Sequence, residues 1–224
     1  MNKDQKFAKW QKWLDRIFED IQGILINRHV FWEVQEIIRS NKKIHIGSIF
    51  YQWMGIVYPS STVIGIRRQL DMDKRSISFA RLLTEIINNP ETISRERFIA
   101  LYKDSGLSEE IPNRHFDRFS GVGLSFIDKV EVESDLIILR EKTKNISKFA
   151  NKRIAHCDKA NFKNLPTFAE LDECLNYLES LLNKYLSMLR AQPLVNIVPE
   201  IMYDWKKIFR YPWIESENGT ANSN

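Results

Sequence analysis

Asn151, Lys152, Arg153, Ile154, Ala155 and His156 make the one stretch of this chain where a histidine follows two cations at helical spacing. Lys152 and Arg153 stand four and three residues before His156, which puts both on the histidine's side of a helix. Neighbouring positive charge disfavours the imidazolium, so His156 is kept in the neutral, base-competent form near neutral pH. Arg153 in turn can bind a phosphate and stabilise charge that develops on it. Those are the parts needed to attack RNA through its own 2′-hydroxyl without a metal. The same spacing fits a helix C-terminus where His and Lys complement the dipole, and the residues alone leave both readings open. His29, His45 and His115 stand isolated and read as structural. Cys157 directly follows His156, but consecutive helical residues do not face each other. It and Cys174 therefore read as small core or surface residues. No metal-ligand spacing, nucleophile elbow or phosphate-binding glycine loop occurs, so no cofactor or metal is expected.

The charge around this stretch is concentrated. The whole chain of 224 residues carries +4, yet Arg140 to Lys163 holds eight basic residues against Glu141 and Asp158, a net +6. A solvated helix face is the usual meaning of such a run. A patch that exceeds the charge of the entire chain also fits a polyanion footprint, with Lys148, Asn151, Lys152 and Lys159 as candidate RNA contacts.

The elements that must position these residues follow from apolar period. Phe7, Trp10, Leu14, Ile17, Ile21, Ile24, Phe31, Val34 and Ile38 recur every three or four residues and predict one long helix over 3–40, loosened at Gly23, with Arg28 interrupting its stripe. A second helix, or two halves joined at Pro59, is expected over 46–70, and a third capped by Asp73 or Ser76. Ser94 caps a short helix, and 103–126 reads as an irregular insertion of loop and short helix. From Glu133 a helix runs through Leu136, Leu139, Ile146 and Ala150 towards His156. Thr167 and Glu170 make a capping box for a last long helix that ends before Pro193. The pattern predicts an all-α fold: an antiparallel helix bundle, residues 1–198, with a helical insertion between the second and third long helices. Residues 199–224 form a separate tail of rings and cations, packed back on the bundle or offered to single-stranded RNA, with disorder at its end.

Composition narrows the setting. Hydrophobic residues make up 43% and charged ones 28%, a globular balance. Ile44 to Ile66 lacks Lys, Arg, Asp and Glu for 23 residues, near membrane-span length. Its polar residues, Pro59 and the basic pairs on both flanks favour a buried core helix over a span. The charged N-terminus has no apolar core of a leader, so a cytoplasmic location is expected.

The run from Asn151 to His156, entering a polar loop and then Leu165-Pro166-Thr167, resembles the HEPN superfamily. More narrowly it looks like the AbiU-type branch, which is named from phage abortive-infection proteins. The stretch Ile64-Gly65-Ile66-Arg67-Arg68-Gln69-Leu70-Asp71, with Asp73, Arg75 and Ser76, resembles the same branch. The resemblance implies a helical bundle that dimerises and cleaves RNA without metal in antiviral defence as a toxin, with RNA, a second copy and an antitoxin or other defence protein as partners. The family motif is Arg, a polar residue, then His, with four to six residues between Arg and His. His156 and Asn151 match. The three positions where the arginine would stand hold Phe149, Ala150 and Asn151, which leaves Arg153 to substitute for it. Arg67 and Arg68 would add a phosphate contact from a neighbouring helix or from the second copy, or Arg67 would pair with Asp71 at i, i+4 and fix the turn. A degenerate bundle that binds RNA or a partner protein without cleaving is the alternative.

Overall fold

Asn2 opens the first helix with a capping box: its side chain accepts the Gln5 N–H while the Gln5 side chain accepts the Asn2 N–H. In the computed structural model, which describes residues 1–150 and 166–213, this helix, α1, runs unbroken over Lys3–Ser40. Trp10, Leu14, Ile17, Ile21 and Leu25 on its stripe are at most 1% exposed. Each contributes roughly 1.5–3 kcal/mol by leaving water. Beyond Leu25 the stripe is only half-buried, and Arg28 leaves it to pair with Glu179 at 3.1 Å.

The second helix, α2, spans Ile49–Arg68 and passes through Pro59 without breaking. Its Tyr58, Thr62, Val63, Gly65 and Ile66 dock on the bundle, which offsets the roughly 3 kcal/mol cost of an internal proline. Gly65 sets the closest approach to α1, since a Cβ there would lie 2.5 Å from the Ile24 side chain. The expectation of a buried core helix fails for the first half of α2. Ile49, Phe50, Trp53, Ile56 and Val57 stay exposed, because before Tyr58 the helix stands off from α1 and leaves an apolar cleft of about 490 Å³ between Trp53, Met54 and Val57 and the Val30, Phe31 and Val34 side chains. No described helix is long and apolar enough to cross a membrane.

Helix α3, Phe79–Ile87, is capped by Ser78, which bonds the Arg81 N–H, and not by Asp73 or Ser76. Ser76 instead donates to Asp71, which folds the chain back sharply enough to bury Phe79, Ala80, Leu82, Leu83 and Ile86. A 3-10 turn at Pro90–Thr92, α4 (Arg95–Ala100, capped by Ser94) and α5 (Glu110–Ser120) complete the connection. Residues 103–126 thus hold one regular helix between turns. Asp128 caps α6, Lys129–Phe149, four residues ahead of the expected start. Thr167 and Glu170 form the anticipated capping box of α7, Phe168–Arg190.

Side-chain register fixes the packing. Gln11 reaches the Leu189 carbonyl and Arg28 reaches Asn176, so α1 and α7 run antiparallel. Asp135 accepts from Lys184 and Tyr185 while Asn145 reaches Glu170, so α6 and α7 do as well. Burial of Tyr185 and the adjacent Asp135 carboxylate push its phenol well above its usual range. The described residues make an all-α bundle with no strand, only an isolated bridge between Ser94 and Phe126. The tail folds back: Lys206 pairs with Glu33, His29 meets Trp205 edge-on, and Trp213 approaches Phe50. The disorder expected after Asn218 concerns residues outside those described.

Candidate functional site

Arg140, Lys144 and Lys148 stand at i, i+4 and i+8 on α6, a spacing that lines three exposed cations along one ridge. Among the described residues none of the three has a carboxylate within ion-pair distance. The last turn of α2 faces this ridge with Arg67. Together with Leu70, Asp71, Met72 and Ser147 they line a cleft of about 400 Å³. Four cations against one carboxylate give the lining a net +3. The Ser147 hydroxyl at its wall is shielded from solvent and has no hydrogen-bond partner among the described residues.

Asp71 belongs to the turn and not to a helix. Since α2 stops at Arg68, the i, i+4 geometry expected for Arg67 and Asp71 is lost. The Asp71 carboxylate accepts the Asp73 N–H at 3.0 Å and the Ser76 hydroxyl at 2.7 Å. These bonds, with Arg67 acting from further away, hold it below the usual carboxylate range. It therefore stays ionised and braces the loop into α3 through local hydrogen bonds. Arg68 is not among the residues lining the cleft and pairs with Asp20 of α1 at 2.8 Å. Lys142, in the same basic run, leans the other way to Glu173 at 3.7 Å.

Of the sequence candidates, the cleft joins Lys148, Arg67 and Asp71. Asn151, Lys152, Arg153, His156, Cys157 and Lys159 lie outside the described residues. Ala150, the midpoint of the positions where the family arginine would stand, is 1% exposed in the core. Arg140 and Lys144 entered the sequence reading only as members of a run. Their helical spacing with Lys148 was the signal that singles them out. Cys174 is buried between α6 and α7, and burial pushes its thiol up to about 12, so it is inert as a nucleophile.

A larger cleft, about 740 Å³, lies between α1 and the tail. Its rings, Trp32, Tyr203 and Trp205, suit stacking, but Glu33, Glu36, Glu179, Glu200 and Asp204 outnumber Arg28 and Lys206 there. That balance repels a polyanion, whereas the lining of the α2–α6 cleft attracts one. No three His, Cys, Asp or Glu side chains among the described residues are grouped to hold a metal. No family model matches this chain, and no curated protein or solved structure matches it either.

Proposed function

We propose that this chain is a HEPN-type RNA-acting protein that grips the sugar–phosphate backbone in the α2–α6 cleft and cleaves it without metal. The observation that carries the reading is the cleft itself, where Arg67 of α2 faces the ridge of Arg140, Lys144 and Lys148, which has no carboxylate partner among the described residues. Cations without carboxylate partners leave their charge to an external anion, and a spacing of about 6 Å per helical turn suits successive phosphates. His156 follows eight residues after Lys148. In the proposed step it takes the proton of the 2′-hydroxyl, whose oxygen attacks the adjacent phosphorus. The bond to the 5′-oxygen breaks, that oxygen takes up a proton, and a 2′,3′-cyclic phosphate remains. Arg153 stabilises the charge on the phosphoryl oxygens. A role in antiviral defence, with a toxin's need for a restraining partner, comes from the resemblance.

The experiment is cleavage of single-stranded RNA in the presence of a chelator. Wild type gives 5′-hydroxyl and cyclic phosphate ends, and His156→Ala loses cleavage while keeping RNA affinity. Equal cleavage by His156→Ala would remove the histidine from the mechanism. The second reading, RNA binding without cleavage, is favoured by the burial of Ala150, which leaves the family's arginine position in the core. RNA bound by wild type but never cut decides for it.

A further inference from the structure

Helices α1 and α2 touch at one end of their contact and stand apart at the other. At Gly65 the missing side chain lets Ile24 approach within 2.5 Å of where a Cβ would lie. Two turns nearer the start of α2, Tyr58 stacks on Phe31 with ring centres 4.1 Å apart. Phe168 of α7 lies near-parallel to both rings and holds them in place. A ring pair needs more room than a bare glycine, so the helices are wedged open from there. The wedge is the cleft of about 490 Å³ whose walls carry Val30 and Val34 on one side and Trp53 and Val57 on the other. Phe50 stacks on Trp53 at 5.7 Å and backs that wall. The opening is therefore built into the packing of three helices and needs no ligand to create it.

We infer that this cleft binds one small uncharged molecule, with an aromatic body laid between Phe31 and Trp53 and a single polar group on the Asn27 amide. Its lining differs in kind from that of the other two clefts. The α2–α6 cleft carries four cations and the cleft under the tail five carboxylates, whereas this one holds no Asp, Glu, Lys or Arg. A charged ligand would lose its water there and gain no counter-charge, so an uncharged one is selected. The volume is that of a small-molecule site, and apolar walls with few polar groups are the usual lining of one. From Asn27 to Val34 the cleft follows two helical turns, roughly 10 Å. That length suits a molecule of two or three rings and is short for a partner helix of three to four turns. Met54, unbranched and flexible, can adjust the wall to the ring it meets. The Ser61 hydroxyl is turned back to the Tyr58 carbonyl at 2.9 Å. Asn27 has no hydrogen-bond partner among the described residues, which leaves its amide to orient the ligand. The site shares no residue with the α2–α6 cleft and does not depend on RNA.

Fluorescence titration of the full chain with N-phenyl-1-naphthylamine tests it. This probe is uncharged, has an aromatic body and one N–H group, and brightens in apolar surroundings. Wild type binds it saturably, one probe per chain. Val57→Glu puts a carboxylate into the lining and raises the dissociation constant by about ten-fold or more. Asn27→Ala raises it by roughly three- to ten-fold, as the loss of one hydrogen bond does. Both keep the wild-type helical circular dichroism, because Val57 is 43% exposed and Asn27 is exposed at the mouth. Ile56→Glu is the control for adsorption on the apolar surface of α2. Ile56 neighbours Val57 and is 66% exposed, but it lies outside the lining, so its replacement leaves binding unchanged. Unsaturable uptake by wild type, an equal loss with Ile56→Glu, or wild-type affinity in both Val57→Glu and Asn27→Ala would overturn the assignment.

Discussion

Replacing Lys144 and Lys148 by Gln together removes two of the three cations on the α6 ridge while keeping their length and helix propensity. For single-stranded nucleic acid, each phosphate neutralised contributes about −0.7 to the slope of log affinity against log salt. Losing two ridge cations therefore flattens the slope by about 1.4, whatever Arg140, Arg67 and other contacts add to both proteins alike. Raising salt from about 50 to 200 mM should weaken wild-type binding roughly 7-fold more than it weakens binding by the double variant. Fluorescence anisotropy of a labelled single-stranded RNA across a salt series reads both slopes. Lys142→Gln is the internal control. It lies in the same basic run but leans to Glu173, so its slope should match wild type. A double variant with the wild-type slope, or a control that loses as much, would refute phosphate binding on this ridge.

Two further outcomes follow from the core. Ala150→Arg restores the family spacing on paper, but Ala150 is 1% exposed, so the change forces a cation into packed side chains. It should cost about 3 kcal/mol or more and lower activity along with stability, read by denaturant midpoint and RNA cleavage; a stable, more active variant would contradict the placement of this residue. Glu85 ties α3 to α1: burial raises its pKa, yet hydrogen bonds from Lys9 at 2.6 Å and from Trp10 outweigh this and hold it below the usual carboxylate range. A depressed carboxylate adds stability above its unfolded pKa and loses it as pH falls through the folded one. Glu85→Gln should therefore cost on the order of 1–2 kcal/mol at about pH 7 and nearly nothing at about pH 3, so equal gaps at both would sink the assignment.

What the sequence made legible depends on which forces act locally. The bounds of α1, the Ser94 cap and the Thr167–Glu170 box depend on short-range hydrogen bonds and apolar period, and each stands where the spacing puts it. The cap of α3 was missed because Asp73, Ser76 and Ser78 all offer a capping oxygen within six residues. Only the fold-back of the loop, with Ser76 donating to Asp71 and Ser78 to the Asp71 carbonyl, decides among them. The outward half of α2 was misread for a related reason. Apolar residues all round a helix announce burial but not by whom, and within one copy only the turns from Tyr58 onward are packed closely enough to be buried. Spacing does not separate Arg67 from Arg68, and only the packed helices send one to the cleft and the other to Asp20. The cleft itself depends on α2 meeting α6, a long-range contact that no spacing encodes. Its chemistry was nonetheless written in the run from Arg140 onward, since a charge repeated every fourth residue on a helix makes a ridge whatever lies opposite.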